Sequence, residues 1–355
     1  MPGNIAGRKT GCRCGKAAGT VIGMTLEIVA VDSNDAARFA AWRDVLEASQ
    51  RVVYGDDHAV PSLDEFRASL RDQRYERRLA RAAVRDGAVA GHLDVALAQT
   101  DNTHRLDFTV AVHPDERRQG IGSALLAHAE RMAHTEQRTV LGTESDVAAG
   151  RNDPAVGFAA RHGFTTAQRE LRSRLELPVD VAAARAEAEK HADGYEVLTS
   201  WDGIPNEWLA DRALLSRRMS TDPPLGSLDY TEEDWDAERV RRIFDLAREQ
   251  RRRVVETVAR HQASGRLVGF TTLAVAANRP DVAYQWDTLV LREHRGHRLG
   301  MLLKAANLQA LLVALPRVRS VHTWNANENE PMLRVNRALG FEPIGQMTEW
   351  QKTLR

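Results

Sequence analysis

Residues 108–132 read FTVAVHPDERRQGIGSALLAHAERM, and the fold is decided in this stretch. Phe108, Val110 and Val112 alternate along the chain, which predicts a half-buried strand. Pro114 ends it, and Gly120 and Gly122 introduce an apolar-striped helix whose first turn is short of bulky side chains. Unblocked backbone N–H groups at the positive end of a helix form a pyrophosphate site. Arg117 and Arg118 add formal charge beside it. Glycine matters there because a Cβ would hold phosphate oxygens away from the amides. A glycine pair at a helix start is by itself more often a plain turn. No Gly-Lys-Ser/Thr follows, so it is no Walker loop, and a dinucleotide fingerprint lacks its third glycine and its βαβ setting.

The same signals recur further along. Gly91, Val112, Arg117 and Gly122 match Gly269, Val290, Arg295 and Gly300, each pair 178 residues apart. Asn152, Pro154, Gly163 and Phe164 match Asn329, Pro331, Gly340 and Phe341 at an offset of 177. Matched glycines, prolines and asparagines in one order mark shared backbone geometry, so the chain reads as a tandem duplication. The expected units are 24–178 and 195–355, separated by an Ala/Glu/Lys-rich linker over 179–194 that is helical or flexible. Each unit opens on a strand (26–31; 195–198) and mixes strands with helices, which predicts a mixed α/β fold. Leu308, Leu311, Leu312 and Leu315 fall at helical spacing and are expected to pack one helix face on a sheet.

The 355 residues balance 49 Lys+Arg against 49 Asp+Glu, so a large nucleic-acid footprint is not expected. Arg251-Arg252-Arg253 and Arg77-Arg78 are interleaved with Glu249, Glu256 and Glu76 and read as solvated faces. No run reaches the roughly 18 to 20 apolar residues of a membrane span, so a cytoplasmic protein is expected. Residues 1–23 carry glycine at every fourth position and hold Cys12 and Cys14, the only two cysteines. With no second Cys pair, no metal site is expected. The tail reads as disordered, an upstream extension before a natural start at Met24.

Taken together, Arg117-Arg118-Gln119-Gly120-Ile121-Gly122 resembles the acetyl-CoA signature of the GNAT superfamily of N-acetyltransferases, Arg/Gln-x-x-Gly-x-Gly/Ala. Each copy also ends in that family's second marker, an Asn leading a short helix that closes in Gly-Phe. The resemblance covers nearly all of the chain after the tail and implies two GNAT-fold domains in tandem. It also implies acetyl-CoA along the strand and loop of each copy: Val110, Ala111, Val112, Arg117 to Gly122 and Ser123 in the first, with Asn152. In the second, the implied residues are Thr288, Leu289, Val290, Arg295, Gly296, His297, Arg298, Leu299 and Gly300, with Asn329 and Asn336. Arg298 stands where the signature has glycine; it either crowds the loop or turns outward toward a phosphate.

The resemblance further implies attack of a substrate amine on the thioester, with a carboxylate taking the amine's proton. The acids on the relevant strand are Asp107 and Asp287. Asp287 lies between Trp286 and Thr288, where a carboxylate needs a reason: catalysis, or a hydrogen bond or salt bridge that fixes the strand. Asp107 follows the polar turn DNTHRL and also reads as a plain strand-start residue. Where the family often has a tyrosine as general acid, four residues before the Gly-Phe glycine, stand Ala159 and Asn336. Either water or the substrate ammonium helps the thiolate leave, or a residue such as Tyr284 substitutes, and Asn336 is a hydrogen-bonding holder of the CoA sulfur or pantetheine. Trp201, Trp208 and Trp235 line an acceptor pocket or pack the core.

The expected function is N-acetylation of a small-molecule primary amine, with the second copy catalytic and no nucleic-acid or membrane partner. The expected assembly is a monomer with pseudo-dimeric domains, or a homodimer. The alternatives are a non-catalytic acyl-CoA-binding regulator or scaffold, which the missing tyrosines favour, and an enzyme acting on a protein amine.

Overall fold

Alternating apolar strands need two covered faces, and the repeat supplies helices for both. The computed structural model describes residues 25–354; the expected tail and its cysteines lie outside them. The first half runs β1 (Leu26–Ala30), α1 (Ala36–Tyr54), α2 (Leu63–Arg71), β2 (Glu76–Arg85), β3 (Ala88–Ala98) and β4 (Arg105–Val112). It continues with α3 (Ile121–Thr135), β5 (Val140–Ala148), α4 (Ala155–Arg161) and β6 (Thr165–Glu176). After α5 (Ala182–Glu189) come β7 (Tyr195–Trp201), α6 (Leu209–Met219), α7 (Ala237–Glu249), β8 (Arg252–His261), β9 (Leu267–Ala276) and β10 (Val282–Val290). The chain closes with α8 (Leu299–Ala314), β11 (Ser320–Ala326), α9 (Glu330–Leu339) and β12 (Glu342–Thr353).

All strands join one 12-stranded mixed sheet in the order β1-β2-β3-β4-β5-β12-β6-β11-β10-β9-β8-β7. Read inward from its two edges, the order is 1-2-3-4-5-12 and 7-8-9-10-11-6, so the duplication appears as a pseudo-twofold. The closing strands are exchanged: β12 pairs with β5 of the first half, and β6 pairs with β11 of the second. The boundary near residue 178 therefore divides the chain but not the sheet.

Alternation along each strand sends neighbouring side chains to opposite faces. On one face Trp42 and Phe39 of α1 and Phe66 of α2 pack on Ala80, Ala82 and Ala111. On the other, Leu125, Leu126 and Ala129 of α3 pack on Leu93, Val95 and Phe108. The second half repeats this, with α6 and α7 (Leu209, Phe244) against Val254 and Ala274, and α8 (Leu308, Leu311) against Val255 and Leu273. Leu312 and Leu315 join that α8 cluster, as their spacing predicts. The linker is a helix that packs on α8 rather than a loose connection, with Val181 and Ala188 buried.

The arginine runs are paired: Arg251, Arg252 and Arg253 with Asp64, Glu65 and Asp202, and Arg77 and Arg78 with Glu136 and Asp94. Trp208 is buried in the core, and Trp201 and Trp235 pack against core clusters. Among the described residues no helix is long and apolar enough to cross a membrane, and no group of three or more His, Cys, Asp or Glu residues is arranged to hold a metal ion.

Candidate active site

Each half contains a split in the sheet. β4 and β5 run parallel and pair only over 105–107 and 140–142, then diverge; β10 and β11 pair only over 282–284 and 320–322. Asp107 and Tyr284 sit at the two apices, and the register makes them counterparts. Asp107 faces Ala96 and Tyr284 faces Ala274, and these partners are 178 residues apart.

At the open end of each split stands the expected loop. Arg118 and Gly120 both adopt positive φ (66° and 84°), and so do Gly296 and Arg298 (91° and 52°). The two loops share one backbone path, with glycine and arginine exchanged between its two left-handed positions. Arg298 leaves the loop intact and points outward, 3.5 Å from Glu187. Arg117 and Arg295 turn inward instead: each Nε donates to the last carbonyl of its strand, Val112 at 3.3 Å and Val290 at 3.0 Å. These two arginines build the loops, whereas exposed Arg118 makes no ion pair among the described residues.

α3 and α8 begin without a side-chain cap, as α4, α5 and α6 also do, but only α3 and α8 among these follow a left-handed residue. Their first amides are left for an anion. A Cβ on Gly120 or Gly300 would meet nothing within 4 Å, so the approach is open. Ile121 and Leu299 are buried anchors, as are Ala111 and Leu289, while Val110, Val112 and Val290 line the α3 and α8 side half-buried. Ser123 is held at 3.1 Å by His162 Nε2. Exposed Gln119 lies 3.5 Å from Glu116, and His297 packs 5.1 Å from the Tyr195 ring. Asn329 caps α9 through the Met332 amide, whereas exposed Asn152 caps nothing and Asp153 accepts from Ala155 N.

The copies differ most at the strand centre. β4 pairs with β3 without interruption, but β10 carries a bulge between Gln285 and Thr288. The extra residue of a bulge leaves the ladder, and here that leaves the exposed Asp287 beside the split with no hydrogen bond or ion pair among the described residues. The protein around it desolvates its carboxylate and raises its pKa; Arg212 opposes this, and Glu256 and Glu233 reinforce it. Glu256 is itself buried, bonded to Arg212 Nε at 2.9 Å and to Thr272 Oγ1 at 3.0 Å. Asp107 is tied up instead, at 2.6 Å from Arg105 Nη2, under a Tyr230 ring that stacks 4.0 Å from that guanidinium. Tyr284 is half-buried, its phenol raised by burial, with rings of His322 and Trp324 at 6.0 and 6.2 Å.

Behind the second split, Thr288 Oγ1 meets Thr271 Oγ1 at 2.7 Å. Asn336 is buried between Lys304 Nζ, which donates to its Oδ1 at 2.8 Å, and Asn325, which accepts from its Nδ2 at 2.6 Å.

A second acidic group escapes sequence reading because its members come from three strands. Glu144 and Glu349 stand opposite each other, with Glu170 and Asp146 nearby on the α1 face. Glu144, Glu170 and Glu349 form no ion pair among the described residues. Burial and their mutual repulsion raise Glu144 to about 8 and Glu170 to about 7. Tyr54 OH donates to Asp146 at 3.3 Å.

The comparisons agree with this geometry. The acetyltransferase (GNAT) family model matches residues 39–164 and 221–341. A mycothiol acetyltransferase of Sanguibacter keddieii is 30% identical over 241 residues, 65% of this chain and 69% of that protein. Another, from Mycolicibacterium vanbaalenii, is 30% identical over 144 residues, 38% of this chain and 44% of that protein. A tandem GNAT protein from the clavulanic acid biosynthesis pathway superposes with a TM-score of 0.75 at 29% identity, covering 93% of this chain and 98% of that one. A GCN5-related N-acetyltransferase from Sphaerobacter thermophilus shares the fold at 17% identity, with a TM-score of 0.63 over 93% of this chain and 96% of its own. Two matched regions, two splits and two uncapped helices behind glycine-bearing loops lead to one conclusion: the chain is a tandem acetyltransferase of the GNAT family.

Proposed function

We propose that this chain uses acetyl-CoA to acetylate a primary amine of a small molecule, and that the second copy carries the reaction. The free carboxylate of Asp287, exposed in the β10 bulge beside the split, is the observation that carries the reading. Bound acetyl-CoA supplies the acetyl group as an activated thioester. The uncapped starts of α3 and α8 suit its pyrophosphate, with Arg118 in the first copy as an outward cation, while Arg298 in the second faces Glu187. An amine arrives protonated at neutral pH, and Asp287, with its pKa raised, is a stronger base than an ordinary aspartate for taking that proton. Asp107 is engaged with Arg105 and less suited to the task. The relatives' name, mycothiol acetyltransferase, supports a small acceptor. The proposed units remain 24–178 and 195–355, the first binding CoA chiefly for structure or regulation.

A calorimetric titration with acetyl-CoA, comparing the intact chain with Gly120→Trp and Gly300→Trp, tests the assignment. Loss of one binding event with each variant is expected, together with thiol release on an amine panel that survives only Gly120→Trp. Binding without thiol release on any amine, including peptide amines, leaves the acyl-CoA-binding regulator as the correct reading.

A further inference from the structure

Lys304 is a buried lysine with no carboxylate partner among the described residues. It lies on α8 at 1% exposure; its one hydrogen bond goes to Asn336 Oδ1, 2.8 Å away, and the Phe341 ring is 5.5 Å off. An ammonium only donates, so the lysine fixes which way the Asn336 amide faces: oxygen toward Nζ, nitrogen toward β11. That nitrogen has two hydrogens, and Asn325 takes one. Asn325 lies beyond His322, the last β11 residue paired with β10, so the amide stands beside the split. The first copy has nothing comparable, since Leu126 and Ala159 occupy the positions of Lys304 and Asn336.

Resting on the reading of the second split as the acetyl-CoA channel, we infer that Lys304 is a positioning residue for the leaving thiolate. It orients and polarises Asn336, whose second N–H donates to the CoA sulfur. As the N–C bond forms, the C–S bond breaks and its electron pair goes to sulfur; the amine's proton goes to Asp287 and on to water. Lys304 keeps its own proton. A cation behind a polarised amide makes a better donor to a thiolate than to a thioester, so the arrangement favours the departing state. Burial alone depresses the lysine to about 7, and no charged group contributes, which leaves its state open to a new negative charge nearby.

The test uses the full chain carrying Gly120→Trp, so that CoA occupies the second copy only. CoA binding is followed by calorimetry, and ionisation of the bound thiol by the ultraviolet absorbance of the thiolate across pH. The bound thiol is expected to ionise about one unit lower than free CoA. Lys304→Met and Asn336→Leu should each abolish the shift while CoA still binds, and Lys304→Arg should keep most of it. Lys304→Met leaves the buried Asn336 Oδ1 without its donor and should melt somewhat lower, so the thiol shift at retained CoA binding carries the test; a purely structural lysine would lower the melting temperature and leave the shift in place. Should Lys304→Met fail to fold, Asn336→Leu supplies the same reading. Intact binding with an unshifted thiol, or a shift that survives Lys304→Met, overturns the inference alone. Absence of CoA binding to Gly120→Trp overturns the channel reading and the inference with it.

Discussion

The two splits share a backbone and differ in what fills the wall behind them. In the first copy the wall is apolar: Leu93, Phe108, Leu126, Ala129 and Ala159 form one cluster. In the second the same positions hold Thr271, Gln285, Lys304, Asn307 and Asn336, joined in buried hydrogen bonds. The α1-side faces invert as well. Glu144 and Glu349 stand opposite each other in the first half, where Trp324 and Arg172 stand in the second. Duplication thus preserved turns and strand register, which backbone geometry fixes, and released the side chains between them. A buried polar wall is less stable than an apolar one unless every member is satisfied. It is confined to the copy with the bulged strand.

Five variants can break or sharpen that contrast. Asp287→Asn should lower acetyl transfer about 100-fold or more in thiol-release assays, against less than about fivefold for Asp107→Asn; the opposite order would move catalysis to the first copy. Asn307→Ala should cost about 1–3 kcal/mol in urea unfolding, because Thr257 Oγ1 loses its 3.0 Å acceptor in a dry wall. Its counterpart Ala129 offers no polar group to orphan.

The acidic face gives a signed pH dependence. Glu144 and Glu170 bind protons more tightly folded than unfolded, so their contribution is full below about 4.5 and is lost as pH rises through about 7 to 8. Glu144→Gln should therefore raise the urea midpoint above pH 8 relative to the parent, with the gap closing near pH 4.5. A midpoint that Glu144→Gln lowers above pH 8 would mean the carboxylate is paired in solution. The smallest change belongs to Arg298→Gly, which removes a left-handed arginine at φ 52° and should alter stability by about 1 kcal/mol or less, with acetyl-CoA affinity nearly unchanged. A large affinity loss would make Arg298 a phosphate ligand.

Much of this was legible in the chain. The repeat could be read because glycines, prolines and asparagines mark turns and caps, and these sit where the offsets put them. Asp287 stood out as a charge in an apolar strand, yet the bulge that frees it depends on pairing with β9, which composition does not encode. Asp107 keeps a side chain 38% exposed, and what its sequence surroundings do not reveal is Tyr230, which arrives from 123 residues away. The acidic face stayed hidden for the same reason, since Glu144, Glu170 and Glu349 meet only after β12 enters between β5 and β6. Lys304 sits in the leucine-rich stretch of α8, where only its contact with Asn336 gives it meaning.

The position of β12 has a consequence for synthesis. A growing polypeptide emerges from its amino end, so residues 140–148 are available long before 342–353 exist to bond with them. Through that interval the edges of β5 and β6 stand bare, and an open edge attracts foreign strands. The protein should be most vulnerable while unfinished, and an amino-terminal half made alone should be captured by chaperones or aggregate.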